Sequence, residues 1–223
     1  MRDSIAHRRW GGAGIVLALS CLALSACKIH SIEEDRALRE RQSRDFNAHY
    51  VAAMWQKQAL PALRERAAPL PALIGAIDAD IDAAGKAHGR RTGEGAPWTF
   101  VAHGAGTIVA VDRASRRGAL VVRVAGMSQP ATLRIQIGPV VSGTAIRDAL
   151  PFVTFNDFTD QLAFADVGNA LTVEALKTVA SRDGFHAGER VRFAGVFNMR
   201  AAGEPVVITP FAIAPAPDPV AAS

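Results

Sequence analysis

Apolar residues follow two different periods along the chain, and the period changes near residue 98. In the first part they recur at the three- and four-residue spacing of a helix that buries one side, as at Leu70, Leu73, Ile74 and Ile77. From Thr99 onward apolar and polar residues alternate instead, which is the pattern of a half-buried strand. We therefore predict a helical region over residues 27–98 and a β-rich domain over residues 99–213.

The β-rich domain divides into short alternating runs separated by turn residues. These runs predict five strands, at residues 100–112, 120–124, 133–137, 191–197 and 206–213. A helical pattern at residues 171–180 lies between the third strand and the fourth. This order is that of an OB-like five-stranded β-barrel with an inserted helical segment, so we expect an α+β fold. A plain antiparallel sheet with a packed helix is the alternative.

Both ends of the chain have a distinct composition. Arg2, Arg8 and Arg9 precede an apolar run that ends in the sequence LSAC at residues 24–27. Such a run is too short for a comfortable membrane span and is typical of a signal peptide, which we place at residues 1–26. At the other end, residues 214–223 are rich in Pro and Ala and are expected to form a disordered tail.

The sequence LSAC resembles the bacterial lipobox, in which the cysteine thiol takes a diacylglyceryl group carrying palmitate-type chains. We therefore predict lipid attachment at Cys27 and a periplasmic protein that is lipid-anchored to the membrane. Lys28, where Asp favours retention in the inner membrane, favours the outer membrane. An uncleaved anchor or an ordinary secretory signal is the alternative.

The two cysteines and the charge narrow the possible functions. Cys21 leaves with the signal peptide and Cys27 is lipidated, which excludes disulfides, thiolate metal sites and cysteine nucleophiles from the mature chain. Removing residues 1–26 lowers Lys+Arg from 25 to 22 and Asp+Glu from 21 to 20, a balance of only +2. With 6% aromatic residues and an export signal, no nucleic-acid partner is expected.

The most unusual stretch is residues 135–166, where polar side chains alternate with phenylalanines. Two interpretations are open. In the structural one, the polar groups satisfy buried backbone in a loop that closes the barrel. In the recognition one, they form a surface for a small ligand such as a sugar, or for a protein partner. The candidate residues are Thr144, Arg147, Asp148, Asn156, Asp157, Thr159 and Gln161.

Motifs for catalysis are lacking. No HxxxH, HxH or GxSxG spacing occurs, so neither a zinc site nor a serine triad is indicated. Asp148, Asp157, Asp160 and Asp166 could supply paired carboxylates, but pairing of Asp148 with Arg147 and turn formation by Asn156 and Asp157 are the structural alternative. We therefore predict that the protein is not an enzyme and carries no metal and no cofactor.

Several runs also carry a family resemblance. The sequences QIGPVVSGTAIRDAL and FVTFNDFTDQLAFADVGNAL, with YVAAMW, GTIVAVDRASRRG and VRFAGVF, resemble the DUF2291 family of predicted periplasmic lipoproteins. The resemblance implies a location more than a reaction, and an association with sugar-type ABC transporter components, beside which members are often encoded. The expected function is a non-enzymatic accessory to a solute (sugar-type) ABC uptake system. Alternatives are a direct small-ligand (sugar-like) binding protein that uses Arg147, Asn156 and Asp157, and an envelope hydrolase.

Overall fold

A computed structural model describes residues 32–127, 132–141, 143–158, 160–177, 179 and 184–216. The predictions for the signal peptide, Cys27, Lys28, Thr159 and residues 217–223 of the tail lie outside the described residues. By its internal contacts the chain divides into two compact units, residues 1–42 and residues 43–223. The described part of the first unit is the beginning of one helix. The second unit holds the sheet and the remaining helices.

Most of the helices precede the long strands in the chain, and the others lie between two of those strands. Their bounds are α1 Ile32–Met54, a π-helical turn Trp55–Ala59, α2 Leu60–Glu65, α3 Leu70–Ala79, α4 Ile81–His88, α5 Ala145–Ala149, a 3₁₀ turn Phe155–Asp157 and α6 Gln161–Lys177. Local sequence explains their ends. Pro71 lies in the first turn of α3, where its missing N–H costs no hydrogen bond. Asp80 then caps α4 by accepting from the N–H groups of Asp82 at 2.9 Å and Ala83 at 3.0 Å.

The sheet contains five long or medium strands and two very short ones. The strands are β1 Ala68–Pro69, β2 Gly89–Arg90, β3 Trp98–Asp112, β4 Ala119–Val124, β5 Thr132–Gln136, β6 Arg190–Met199 and β7 Val207–Pro215. They pair in the order β1-β3-β4-β5-β7-β6, with β6 also pairing β3 and β2 also pairing β3. The β5–β7 and β1–β3 pairings are parallel, and the others are antiparallel.

The predicted α+β class is confirmed, whereas the predicted count of five strands is not. The described sheet has seven strands, because β1 and β2 come from the region predicted to be purely helical. Each of these strands is two residues long, which is too short to produce an alternating pattern. The placement of a domain boundary between residues 98 and 99 stays a prediction.

Two apolar clusters lie on opposite sides of strand β3. Phe100 and Ala102 belong to a cluster on the inner face of the sheet, together with residues of α3, β4 and β5. Val101 points the other way, into a second cluster formed mainly by α1, the π-helical turn, α5 and α6. Because successive side chains of a strand alternate between faces, one strand serves both clusters. The helices therefore cover part of the outer face of the sheet.

The inserted helix is longer than its sequence pattern predicts. A helix was expected over residues 171–180, but α6 begins ten residues earlier, at Gln161. Asp160 initiates it by accepting the N–H of Ala163 at 2.8 Å. Gly168 lies inside the helix, a position that weakens an isolated helix, yet it is buried against α5. The buried residues Val167, Leu171 and Ala175 recur every four positions, so the apolar repeat itself begins before residue 171.

Candidate functional site

The predicted site residues fall into a covered group and an exposed group. The side chains of Arg147 and Asp148 are each 12% exposed, and Thr144 beside them is half-buried. Asn156, Asp157 and Gln161 are exposed. The structure therefore brings three of the candidates into direct contact and leaves three others at the surface.

The covered group is centred on the carboxylate of Asp148. Arg147 donates to Oδ1 of Asp148 from Nε at 2.9 Å and from Nη2 at 2.7 Å. The hydroxyl of Thr144 donates to Oδ2 at 2.6 Å. Thr144 is the residue before α5, and the first helical turn brings it beside Asp148 four positions later. Both carboxylate oxygens are thus occupied by donors from the chain itself.

Arg147 also joins α5 to α6. Its Nη1 donates to the carbonyl of Phe164 at 3.1 Å, and its Cζ lies 3.7 Å from the centre of the Phe164 ring, a cation–π contact. Gly168, one turn further along α6, lies beside the same side chains. A Cβ there would lie 3.4 Å from Cγ2 of Thr144 and 3.5 Å from Cδ of Arg147. The guanidinium of Arg147 is consequently held both by Asp148 of α5 and by Phe164 of α6.

Two arginines from outside the segment complete the network. Arg66 donates to the carbonyls of Ala149 at 3.1 Å and Gly89 at 3.3 Å, and Arg90 donates to the carbonyl of Asp148 at 2.7 Å. They satisfy carbonyls at the end of α5 that have no partner within the helix. Burial, followed by the nearby charge of Arg90, lowers the pKa of Arg66. Sequence reasoning missed both residues because neither belongs to a periodic pattern.

Within the exposed group, Asp157 is held by local hydrogen bonds. The carboxylate of Asp157 accepts from the backbone N–H and the hydroxyl of Thr154, each at 2.8 Å, which forms a capping box around the 3₁₀ turn. The Thr154 N–H, and then its hydroxyl, hold the pKa of Asp157 below its ordinary value. Asp157 therefore shapes the turn that presents Phe155 and Asn156 to solvent.

Apolar side chains lie among these exposed polar groups. Phe152 is 38% exposed, Phe155 47% and Leu162 54%. The ring centroids of Phe155 and Phe164 lie 5.7 Å apart with the rings nearly perpendicular, so Phe155 contacts the same residue that stacks on Arg147. We call Phe152, Phe155, Asn156, Asp157, Gln161 and Leu162 the phenylalanine surface. Through the contact of Phe155 with Phe164 it adjoins the buried network.

A cleft of about 490 Å³ lies elsewhere in the unit. Its lining includes the buried side chains of Leu133, Met199 and Val206 and the exposed carboxylates of Asp78 and Glu204. Glu204 accepts the N–H of Arg200 at 2.8 Å and so closes the turn between β6 and β7. The sequence did not indicate this cleft, because its walls come from four separate parts of the chain.

Two features are absent from the described part of the chain, a cluster of metal-ligating side chains and a membrane-spanning helix. Within the described ranges, no three His, Cys, Asp or Glu side chains are grouped so that they could hold a metal ion. In the same ranges, no helix has the length and apolar character needed to cross a membrane.

The chain matches the model of a known protein family. A family model described as "Predicted periplasmic lipoprotein (DUF2291)" matches residues 16–214. The chain belongs to the DUF2291 family. The recognition made from the sequence runs is thereby confirmed, and the description of DUF2291 agrees with the predicted periplasmic lipoprotein. No curated protein matches the chain.

A solved structure supports the fold of this DUF2291 member. The chain is similar to an OB-fold protein from Thermotoga maritima, with a TM-score of 0.56 and 16% sequence identity, over 79% of this chain and 97% of the other. At such low identity the likeness concerns the fold alone. The OB-like prediction is confirmed at that level.

Proposed function

We propose that this DUF2291 protein is a non-enzymatic accessory to a sugar-type ABC uptake system, and that the phenylalanine surface is its docking face. The observation that carries the proposal is the contrast within the central segment. Thr144, Arg147 and Asp148 are engaged with one another, whereas Phe152, Phe155 and Leu162 are exposed. Exposed aromatic side chains mixed with polar groups are typical of protein–protein interfaces.

The buried network favours docking over ligand binding at this segment. A ligand that took hydrogen bonds from Arg147 would have to displace the carboxylate of Asp148 or the carbonyl of Phe164. Leaving a buried carboxylate without its partner is costly. A protein that covers Phe155 and Leu162 needs no such rearrangement.

The absence of catalytic activity is part of the proposal. General acid–base catalysis needs a carboxylate that is free to exchange a proton with a substrate. The carboxylates of Asp148, Asp157 and Asp160 instead accept hydrogen bonds from Thr144, Thr154 and Ala163 respectively. These contacts support structural roles for all three.

In-membrane crosslinking of the tagged, full-length, lipidated protein tests the docking face. We expect transporter subunits among the captured partners and expect their recovery to fall in the double variant Phe155→Ser, Leu162→Ser. Val207→Ser is the matched control, because Val207 is an exposed aliphatic residue of β7, 40% exposed, outside the phenylalanine surface. Equal recovery of transporter subunits from both variants would refute the docking face. Unchanged uptake across a sugar panel in a deletion strain would refute the accessory role.

The proposal also includes anchoring through a lipid at Cys27. Metabolic labelling with palmitate should mark the wild-type protein and should not mark Cys27→Ser. Separation of the two membranes then shows whether the protein fractionates with the outer membrane, as Lys28 predicts. Labelling of Cys27→Ser at the wild-type level would contradict the lipid site.

The 490 Å³ cleft supports a second candidate function, direct binding of a small sugar-like ligand. Its volume falls in the range of small-molecule sites, and it combines an apolar floor with the carboxylates of Asp78 and Glu204. A ligand that binds only the native state raises the melting temperature. We expect a sugar that does so in the wild type to do so less in Asp78→Asn. An unchanged shift in that variant would argue against the cleft.

A further inference from the structure

Strands β3 and β6 form a ladder whose outer face changes character along its length. The outward pair Val101–Val196 lies under the helices, in the second apolar cluster. Further along, the outward pairs are Ala105–Arg192 and Thr107–Arg190. Arg192 is exposed and Arg190 is half-buried. The same ladder therefore packs against helices at one end and presents arginines to solvent at the other.

A third arginine reaches this end from the neighbouring strand. Thr107 pairs with Arg190 of β6 on one side and with Arg123 of β4 on the other. Side chains of directly paired residues lie on one face with Cβ atoms about 4.5–5.5 Å apart. The side chain of Thr107 thus lies between those of two arginines, and Arg192 is two residues along β6 on the same face.

Small residues keep the floor of this face open. Ala105 and Thr107 are its central side chains, and Gly106 lies between them. A Cβ on Gly106 would overlap the backbone oxygen of Arg123, so glycine is what allows β4 to approach β3 here. The close approach sets Arg123 directly beside Thr107.

The charges of these arginines are not neutralised by the described chain. Among the ion pairs of the described residues, none involves Arg123, Arg190 or Arg192. The acidic residues on adjoining stretches are already engaged, Asp112 by Arg134 at 3.3 Å and Glu189 by His186 at 3.1 Å. The Nε of Arg190 is buried and has no acceptor in the described structure. Such a buried donor is unusual and calls for an explanation.

A surface depression adjoins the arginines. It has a volume of about 470 Å³ and is lined mainly by His103, Gly104, Arg192, Ala194, Ala212 and Ala214. Arg192 belongs both to the depression and to the arginine group. A volume of this size suits one small organic molecule.

We propose that this arginine face, defined by Thr107, Arg123, Arg190 and Arg192, binds a soluble organic phosphate. The phosphate oxygens accept from the three guanidinium groups and the Thr107 hydroxyl, because planar arginines match phosphate geometry with paired donors. The uncharged part of the ligand occupies the depression beside Arg192. We choose a solute over a lipid surface because the depression holds the body of a single molecule. The site is separate from the phenylalanine surface.

Binding is tested on the full chain purified in detergent, with inorganic phosphate, glucose 6-phosphate and glucose as probes. We expect glucose 6-phosphate to bind at least as tightly as phosphate, and glucose not to bind. Arg123→Gln and Arg190→Gln should each weaken binding by about tenfold or more, since each removes charged hydrogen bonds. Calorimetric titration is the readout, because phosphate also raises melting temperatures without binding.

Arg117→Gln is the matched control, because it removes the same charge from an exposed residue in the turn before β4. It should leave binding unchanged within about twofold, since exposed charges more than about 10 Å apart are screened in ordinary salt. Equal weakening by Arg117→Gln, or binding of neither soluble phosphate, would overturn the proposal. Arginine-dependent binding of phosphatidylglycerol vesicles, with no competition from glucose 6-phosphate, would overturn it in favour of a lipid surface. None of these outcomes bears on the docking face, which the crosslinking variants test.

Discussion

Arg147 and Arg190 illustrate two different uses of the same side chain. Arg147 is 12% exposed, and each of its guanidinium nitrogens donates to the carboxylate of Asp148 or the carbonyl of Phe164. Arg190 has no ion pair within the described chain, and its buried Nε has no acceptor there. Arg147 is therefore a structural residue whose donors are all engaged, whereas Arg190 contributes no ion pair to the described fold.

The largest expected effect is the loss of the buried pair. Arg147→Met should lower the free energy of unfolding by about 3–5 kcal/mol, because it leaves the carboxylate of Asp148 covered without its cation. Urea unfolding of the purified chain measures this. Arg117→Met, at an exposed turn position, should change it by no more than about 0.5 kcal/mol.

A double variant sharpens this prediction. Arg147→Met with Asp148→Leu should recover much of the lost stability, because an apolar pair of similar volume needs no charge partner. A double variant that is less stable than Arg147→Met alone would show that Asp148 has stabilising contacts independent of Arg147. A loss of under about 1 kcal/mol in the single variant would contradict a structural role for Arg147.

A smaller effect on stability is expected from substituting two glycines, Gly106 beside the arginine face and Gly168 in α6 beside Arg147. Gly106→Ala should destabilise the protein by about 1–3 kcal/mol, because its Cβ meets the backbone of Arg123 and β4 must shift. Gly168→Ala should be neutral or stabilising by up to about 1 kcal/mol, since its Cβ makes only ordinary contacts and alanine favours the helix. Thermal unfolding of both variants tests whether Gly106→Ala destabilises the protein while Gly168→Ala does not. Equal destabilisation would show that α5 and α6 pack more tightly than these contacts imply.

The arginine face should contribute little to folding. Arg190→Gln is expected to change the free energy of unfolding by no more than about 0.5 kcal/mol, because no ion pair is lost. Urea unfolding beside Arg147→Met gives the direct comparison. A loss of stability as large as that of Arg147→Met would show that Arg190 has a structural role, and would remove the reason to propose a ligand there.

The smallest effect concerns pH. Hydrogen bonds from Thr154 make the pKa of Asp157 lower in the folded chain than in the unfolded chain. The resulting stability is present above the unfolded value, near pH 4, and is lost as the pH falls through the folded value. The melting temperature of the wild type should therefore exceed that of Asp157→Asn near neutral pH, and the difference should shrink below about pH 4. A difference that stays constant into acid would contradict the assigned hydrogen bonds.

Periodicity predicted the elements that are long enough to show a period. Strands β3, β4, β5, β6 and β7 were found near the predicted positions, and so was the helix between β5 and β6. Two-residue strands β1 and β2 cannot show alternation, so they were missed. Composition groups the candidate residues of the central segment together, whereas the structure separates them. Composition does not distinguish a side chain that bonds its neighbour from one that faces solvent.

The sequence by itself determined the family, the α+β class and the order of the main elements, because these depend on local patterns of residue type. Only the tertiary structure decided which polar groups are engaged. Arg66 and Arg90 reach α5 across 83 and 58 residues of chain, and Thr107 joins Arg123 and Arg190 through strand register. Partners so far apart in sequence are brought together by packing of the whole sheet against its helices, and no local pattern records that.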